Sequence, residues 1–230
     1  MESESSLRER LIDVGVDLVS TEGTASLGLR EIARRAGVSH GAPRRYFPTH
    51  HALLAAIARR GFADLKGRFE VATGSTTSPR GRLQALGEAY VGYALEHRGM
   101  FELMFRHDLL DSEKYASDQP RLRESTLPLF EFIVGLVALC RTERETAHGP
   151  GASGDAGSAA VTAAALWSNL HGIAQLWAWG SLQLALDTPR HTPRPGGVPA
   201  GDQRDQRDQR DQLDRLVAAA LDAHLGPVTS

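Results

Sequence analysis

The chain has 230 residues, a formal net charge of −2 at pH 7 and one cysteine, Cys140. That length holds one large or two small domains with a buried core. A lone cysteine excludes an internal disulfide and fits a reducing compartment, and near-neutral charge means that any grip on nucleic acid must come from local clustering.

The opening Met-Glu-Ser-Glu-Ser-Ser lacks the basic start and apolar run of a signal peptide. The longest apolar run, Phe132 to Cys140, is too short to span a bilayer as a helix. These features predict a soluble, cytoplasmic protein with no membrane partner.

Leu7, Leu11, Val14 and Leu18 recur at four, three and four residues, one stripe of an amphipathic helix over about 6–21. Ile32, Ala33 and Ala36 predict a second helix over 29–36, which Gly37 ends through its backbone freedom. Ser39 is placed to cap a third helix over 40–46, with Pro43 in its first turn, where a missing N–H costs least. Thr49 reads as the cap of a fourth helix that starts at His50 and buries Leu54, Ile57, Gly61, Leu65 and Phe69. Phe47 is too apolar for an exposed bend and should anchor it.

Two helices joined by a short Gly-containing turn outline a helix-turn-helix. The charge agrees. Arg30, Arg34, Arg35, Arg44, Arg45, Arg59 and Arg60 face Glu31 alone, an excess of +6 over residues 29–60. The neighbours His50 and His51 project about 100° apart on a helix and cannot share a metal without distant partners, so no metal or other cofactor is expected.

The stretches REIARRAGVSHGA and YFPTHHALLAAI resemble the second-to-fourth-helix signature of the TetR family of bacterial transcription regulators. The likeness covers about residues 7–65. It implies a homodimer that binds double-stranded operator DNA through this segment and a small-molecule effector through the rest. The residues it places toward DNA are Arg30, Ser39, His40, Gly41, Arg44, Arg45, Tyr46, Thr49 and His50. Two of them depart from the family's pattern: Arg44 stands where an aromatic usually contacts a phosphate, and His50 where a lysine is usual. Arginine can hold a phosphate or read guanine bidentately. Histidine carries less charge than lysine at pH 7, although the first turn of its helix still offers backbone N–H groups to a phosphate.

Beyond residue 70 the helical pattern continues. Ser78 and Pro79 open a helix to about 97, Met100 to Leu110 forms a short bulky one, and a long one runs from about 120 to 145, kinked or started late by Pro128. His148 to Ser158 reads as a mobile loop. Ser158 to Leu186 is apolar nearly all round and should be buried on more than one side. Trp167, His171 and Gly172 there resemble the Trp-His-Gly pattern of one TetR subgroup. Thr188 to Gly201 is proline-rich, and three Asp-Gln-Arg repeats from Asp202 form either a loop or a solvated helix. An amphipathic helix closes the chain.

The effector residues expected from this half are Tyr90, Tyr93, His97, Phe101, Met104, Phe105, Phe130, Trp167, His171, Gln175 and Trp179, aromatic or polar groups that could line a pocket. Each is as much at home in ordinary core packing. The seam of a four-helix dimer would use Leu166, Leu170, Ile173, Trp177, Leu213, Leu216, Val217 and Leu221.

The sequence thus predicts an all-α protein. A helix-turn-helix DNA-binding domain at 1–48 is joined by a connecting helix at 49–70 to a ligand-sensing and dimerisation domain at 71–230. No nucleophile–base spacing, phosphate loop or carboxylate cluster argues for an enzyme. The other class open is a helical ligand-binding protein without operator function.

Overall fold

Every regular element of the computed structural model is helical, and the structure describes residues 2–110, 122–148, 158–186 and 202–227. In chain order these are α1 (Glu2–Glu22), α2 (Leu29–Arg35), α3 (His50–Gly74), α4 (Pro79–Glu96), α5 (Arg98–Met104), α6 (His107–Leu110), α7 (Leu122–His148), α8 (Ala159–Ala178), α9 (Ser181–Ala185) and α10 (Asp202–Leu225). Short 3-10 turns lie at Thr24–Ser26 and Ala42–Arg45. The chain divides into one unit of Met1–Arg68 with Glu96–Leu129 and another of Phe69–Leu95 with Phe130–Ser230.

In the first unit α1 packs on α2 and α5. Leu11, Leu18 and Val19 are buried with Ile32, Ala33, Ile57 and Leu103. The predicted stripe of α3 is inside from Leu54 to Leu65, and Phe47 is 0% exposed at the bend, with the Arg8 guanidinium 5.4 Å above its ring. The helix α2 ends as expected. Gly37 has φ 69°, the Val38 N–H reaches the Ala33 carbonyl at 3.0 Å and the Gly37 N–H reaches Arg34 at 3.2 Å, a left-handed cap that satisfies two carbonyls.

The third predicted helix takes a different form. Residues 42–45 make a single 3-10 turn with Gly41 as its cap residue. The Ser39 carbonyl, not its hydroxyl, meets the Ala42 N–H at 2.9 Å. Pro43 explains this: without an N–H it cannot bond the Ser39 carbonyl in the α pattern, so the i to i+3 bonds remain. The expected 100–110 helix is likewise two, α5 and α6, with a turn at Phe105–Arg106.

Gly99 sits inside α5. A Cβ there would lie 2.3 Å from the Val19 carbonyl oxygen, so the missing side chain lets α5 rest on the backbone of α1.

The core of the second unit is built from Leu83, Leu86, Tyr90 and Tyr93 of α4, Ile133, Leu136 and Val137 of α7, and the buried faces of α8 and α10. Ser78 caps α4 as predicted, accepting from the Gly81 N–H at 3.0 Å, and Ser158 caps α8, accepting from the Val161 N–H at 3.3 Å. The helix expected over 158–186 stops at Ala178, because Gly180 turns left-handed at φ 77° before α9 begins. Pro128 lies inside α7, which is unbroken from Leu122. Among the described residues α7 alone is long and apolar enough to cross a membrane, with mean hydropathy 1.4, a test that a core helix carrying Ile133, Leu136 and Val137 also passes.

The Asp-Gln-Arg repeats start α10, where Arg207, Asp208 and Arg210 are exposed, a solvated helix. The loop expected after His148 and the proline-rich stretch lie almost wholly outside the described residues.

The two kinds of glycine predict opposite stability effects. Gly99→Ala should lower the melting temperature, since overpacking against backbone costs about 1–3 kcal/mol. Gly135→Ala, on an exposed position of α7 with nothing within 4 Å of the new methyl, should gain about 0.5–1 kcal/mol. Thermal melts of both variants check this, and an unchanged Gly99→Ala would contradict the close crossing.

Candidate functional site

The basic cluster of the first unit is sorted by its own carboxylates. Glu31 accepts from Arg34 at 2.6 and 2.9 Å and from Arg35 at 2.8 Å. Arg35 also reaches Glu22. These bonds, Arg34's first, hold the Glu31 carboxyl down to about 2. Arg60 is tied to Glu9 at 2.6 Å and lies 3.6 Å from Asp13. Arg30, Arg44 and Arg45 are exposed and have no ion pair among the described residues. The six-charge excess therefore resolves into three available guanidinium groups.

Two of those groups, Arg30 and Arg44, are brought together by the turn. A surface hollow of about 550 Å³ is lined by Gly28, Leu29 and Arg30 from the start of α2 and by His40, Gly41 and Arg44 from the 3-10 turn. Buried Pro43 pins that turn from below, which leaves Arg44 and Arg45 outward. Ser39 is exposed and Tyr46 half-buried. Gly28 and Leu29 were not singled out from the sequence; a glycine that opens a helix carries no sign that its backbone will line a cleft.

Two expected members of this face are engaged in the fold. Thr49 caps α3, its hydroxyl accepting from the Ala52 N–H at 3.1 Å. His50 Nε2 lies 2.5 Å from the Leu27 carbonyl. A carbonyl only accepts, so that nitrogen carries the proton and donates.

The expected effector residues separate into different surroundings. In the first unit Phe101 and Met104 are buried, Phe105 packs on Phe101 with tilted rings 4.8 Å apart and meets Phe62 edge-on at 5.6 Å, and His97 Nε2 accepts from Arg68 at 2.6 Å. These are core packing around α3 and α5. The second unit holds the rest: Tyr93 is fully buried, Phe130 and Gln175 half-buried, and Trp179 62% exposed.

Three of them meet. The Trp167 indole donates to the Tyr90 oxygen at 3.1 Å, and that oxygen lies 2.8 Å from His171 Nδ1. The arrangement that satisfies all three has Tyr90 O–H donating to Nδ1, with the imidazole proton on Nε2. Burial holds the Tyr90 phenol protonated, well above the usual tyrosine range, and pushes the His171 pKa down. This is a neutral hydrogen-bonded chain that runs from buried Tyr90 to half-buried His171 and to Trp167, which is 36% exposed.

Most of the residues expected at a dimer seam are engaged within one chain. Leu166, Leu170, Trp177, Leu213, Val217 and Leu221 are buried where α8 and α10 of one chain pack on each other. Ile173 and Leu216 are half-buried. An amphipathic stripe shows that a helix has a partner and not whose helix it is. The apolar side chains left outside on α8, α9 and the residues that follow each include Val161, Leu176, Trp179, Leu184 and Leu186, each at least 40% exposed.

Comparison with known proteins bears on the family and the fold. The profile of bacterial regulatory proteins of the tetR family matches residues 11–57, and that of the tetracyclin repressor-like C-terminal domain matches residues 83–192, together more than half of the chain. An HTH-type transcriptional regulator, BetI, of Rhizobium meliloti (strain 1021) is 33% identical over 79 residues, 34% of this chain, and the match spans only 39% of that protein. Among solved structures, a protein of unknown function from Rhodococcus sp. RHA1 is 29% identical with a TM-score of 0.65, over 95% of this chain and 93% of that one. A TetR-like transcriptional regulator from the same organism shares the fold at 17% identity and a TM-score of 0.57, over 96% and 97% of the two chains.

The His171 environment sets a pH dependence. Its folded pKa lies below the unfolded one, so the unfolded chain takes up the proton first; the stability is present above about pH 6.5 and is lost as pH falls below it. Urea unfolding followed by tryptophan fluorescence should show this loss between pH 7 and 5, because all three tryptophans lie in the second unit. His171→Gln should flatten the profile, and an equally steep one would exclude this histidine as the source.

Proposed function

The chain belongs to the tetR family of bacterial regulatory proteins, and on that footing we propose that it is a homodimeric, ligand-responsive transcriptional regulator, acting as a repressor in the cytoplasm. The observation that carries this reading is the convergence of Arg30, His40 and Arg44 on one hollow at the turn, with Arg45 beside them, while Arg34, Arg35 and Arg60 are held in ion pairs. Cationic groups without carboxylate partners are what a phosphate backbone and guanine edges select. The two turns of a dimer would enter successive major grooves about 34–36 Å apart on a near-palindromic site.

The sensor is the second unit. Its effector is apolar or aromatic and neutral, because the Trp167–Tyr90–His171 chain offers hydrogen bonds without charge. A ligand that favours a conformation with another spacing of the two turns weakens DNA binding by linkage. Self-association would use the exposed Val161, Leu176, Trp179 and Leu184. The finer assignment within the family, to the Trp-His-Gly subgroup, rests on Trp167, His171 and Gly172 alone.

Gel shifts with the DNA upstream of the protein's own gene test the reading. A sequence-dependent shift that weakens with salt is expected, and its absence with retained ligand binding would favour a sequestering protein instead. Arg44→Ala should cost about 1–3 kcal/mol of operator affinity with relaxed preference at one base position. For the dimer, Trp179→Glu should give monomer in light scattering with the fold intact, whereas a polar residue at Leu221, 0% exposed in one chain, should unfold it.

A further inference from the structure

We propose that His50 is a positioning residue for the DNA-facing hollow and makes no phosphate contact of its own. The proposal rests on the regulator reading above and on one juxtaposition: the first residue of α3 donates its ring N–H to the carbonyl of Leu27, the residue just before the segment that lines the hollow.

His50 opens α3, and its Nε2 reaches 23 residues back to the Leu27 oxygen at 2.5 Å. Leu27 itself is 2% exposed and therefore fixed in the core. The next three residues, Gly28, Leu29 and Arg30, form one wall of the hollow, and His40, Gly41 and Arg44 form the other. Thr49 locks the first turn of α3 through the Ala52 N–H, so the His50 ring projects from a fixed base. One hydrogen bond thus ties the start of α3 to the strand of chain that carries Arg30. It sets where the Arg30 wall stands against the Arg44 wall.

A ring held on an internal carbonyl is directed into the protein. A phosphate contact from the same nitrogen would have to break that bond and leave the carbonyl of a buried residue without it. The geometry therefore assigns His50 an effect on operator affinity that acts through Arg30.

The experiment is a set of operator titrations across salt concentrations with wild type, His50→Ala and His50→Gln, each checked by thermal melt. His50→Ala should lose about three- to tenfold in affinity, the range of one hydrogen bond. Its dependence of log K on log salt should match wild type, since no phosphate contact is removed. His50→Gln, whose amide can donate to the same carbonyl, should bind within about twofold of wild type.

A salt slope reduced by about 0.9 in His50→Ala would make His50 a phosphate contact and overturn the proposal. Unchanged affinity in His50→Ala, or a Gln variant as weak as Ala, would overturn it equally. If wild type shows no sequence-dependent binding, the regulator reading fails first. The bond is then judged alone by nitrogen NMR of the His50 ring, and a neutral ring with its proton on Nδ1 would refute it.

Discussion

The DNA-facing side of this protein hangs from the first turn of α3. Phe47 is fully buried just before it, Thr49 caps it, and His50 bonds back to Leu27. Each contact removes a different freedom. Burial of Phe47 fixes where the chain bends, the cap fixes where the helix starts, and the imidazole fixes the entry of α2 relative to both. The basic turn between them has only four residues and one proline, too few to hold a conformation alone. Its shape is inherited from the helices that grip it.

Electrostatics then decides which arginines of the cluster are available. Glu31 holds two of them at the end of α2, and Glu9 and Asp13 take Arg60. These exposed pairs add little stability. Their effect is selective: they leave the uncommitted charge on Arg30, Arg44 and Arg45, around one hollow and its turn. A chain with a net charge of −2 can present such a face because the charge is local and pointed.

The second unit solves a different problem. It buries the Tyr90 hydroxyl and satisfies it with the half-buried His171 imidazole and the indole N–H of Trp167 at the surface. Around that chain α8 and α10 use their strongest apolar stripes on each other within one subunit. What remains outside, from Val161 to Leu184, is a second and more broken apolar face. The charged ends are also tied: Arg80 donates to the Leu221 and Gly226 carbonyls and to Asp222, and Arg144 to the Leu225 carbonyl, at the close of α10.

The sequence by itself determined the helices, most of their caps and the location of the basic turn, because these follow from spacing and from local chemistry within a few residues. The burial of Phe47, the caps at Thr49 and Ser78 and the left-handed Gly37 were all legible in this way. Tertiary structure alone decided the rest. It set Gly99 against the Val19 carbonyl, brought Arg35 to Glu22 and joined His50 to Leu27. It also parted Phe101 and Met104 from Tyr90 and Trp167, which belong to another unit. The reason is physical: periodicity records that a side chain needs a partner, and only the packing of distant segments names which one it meets.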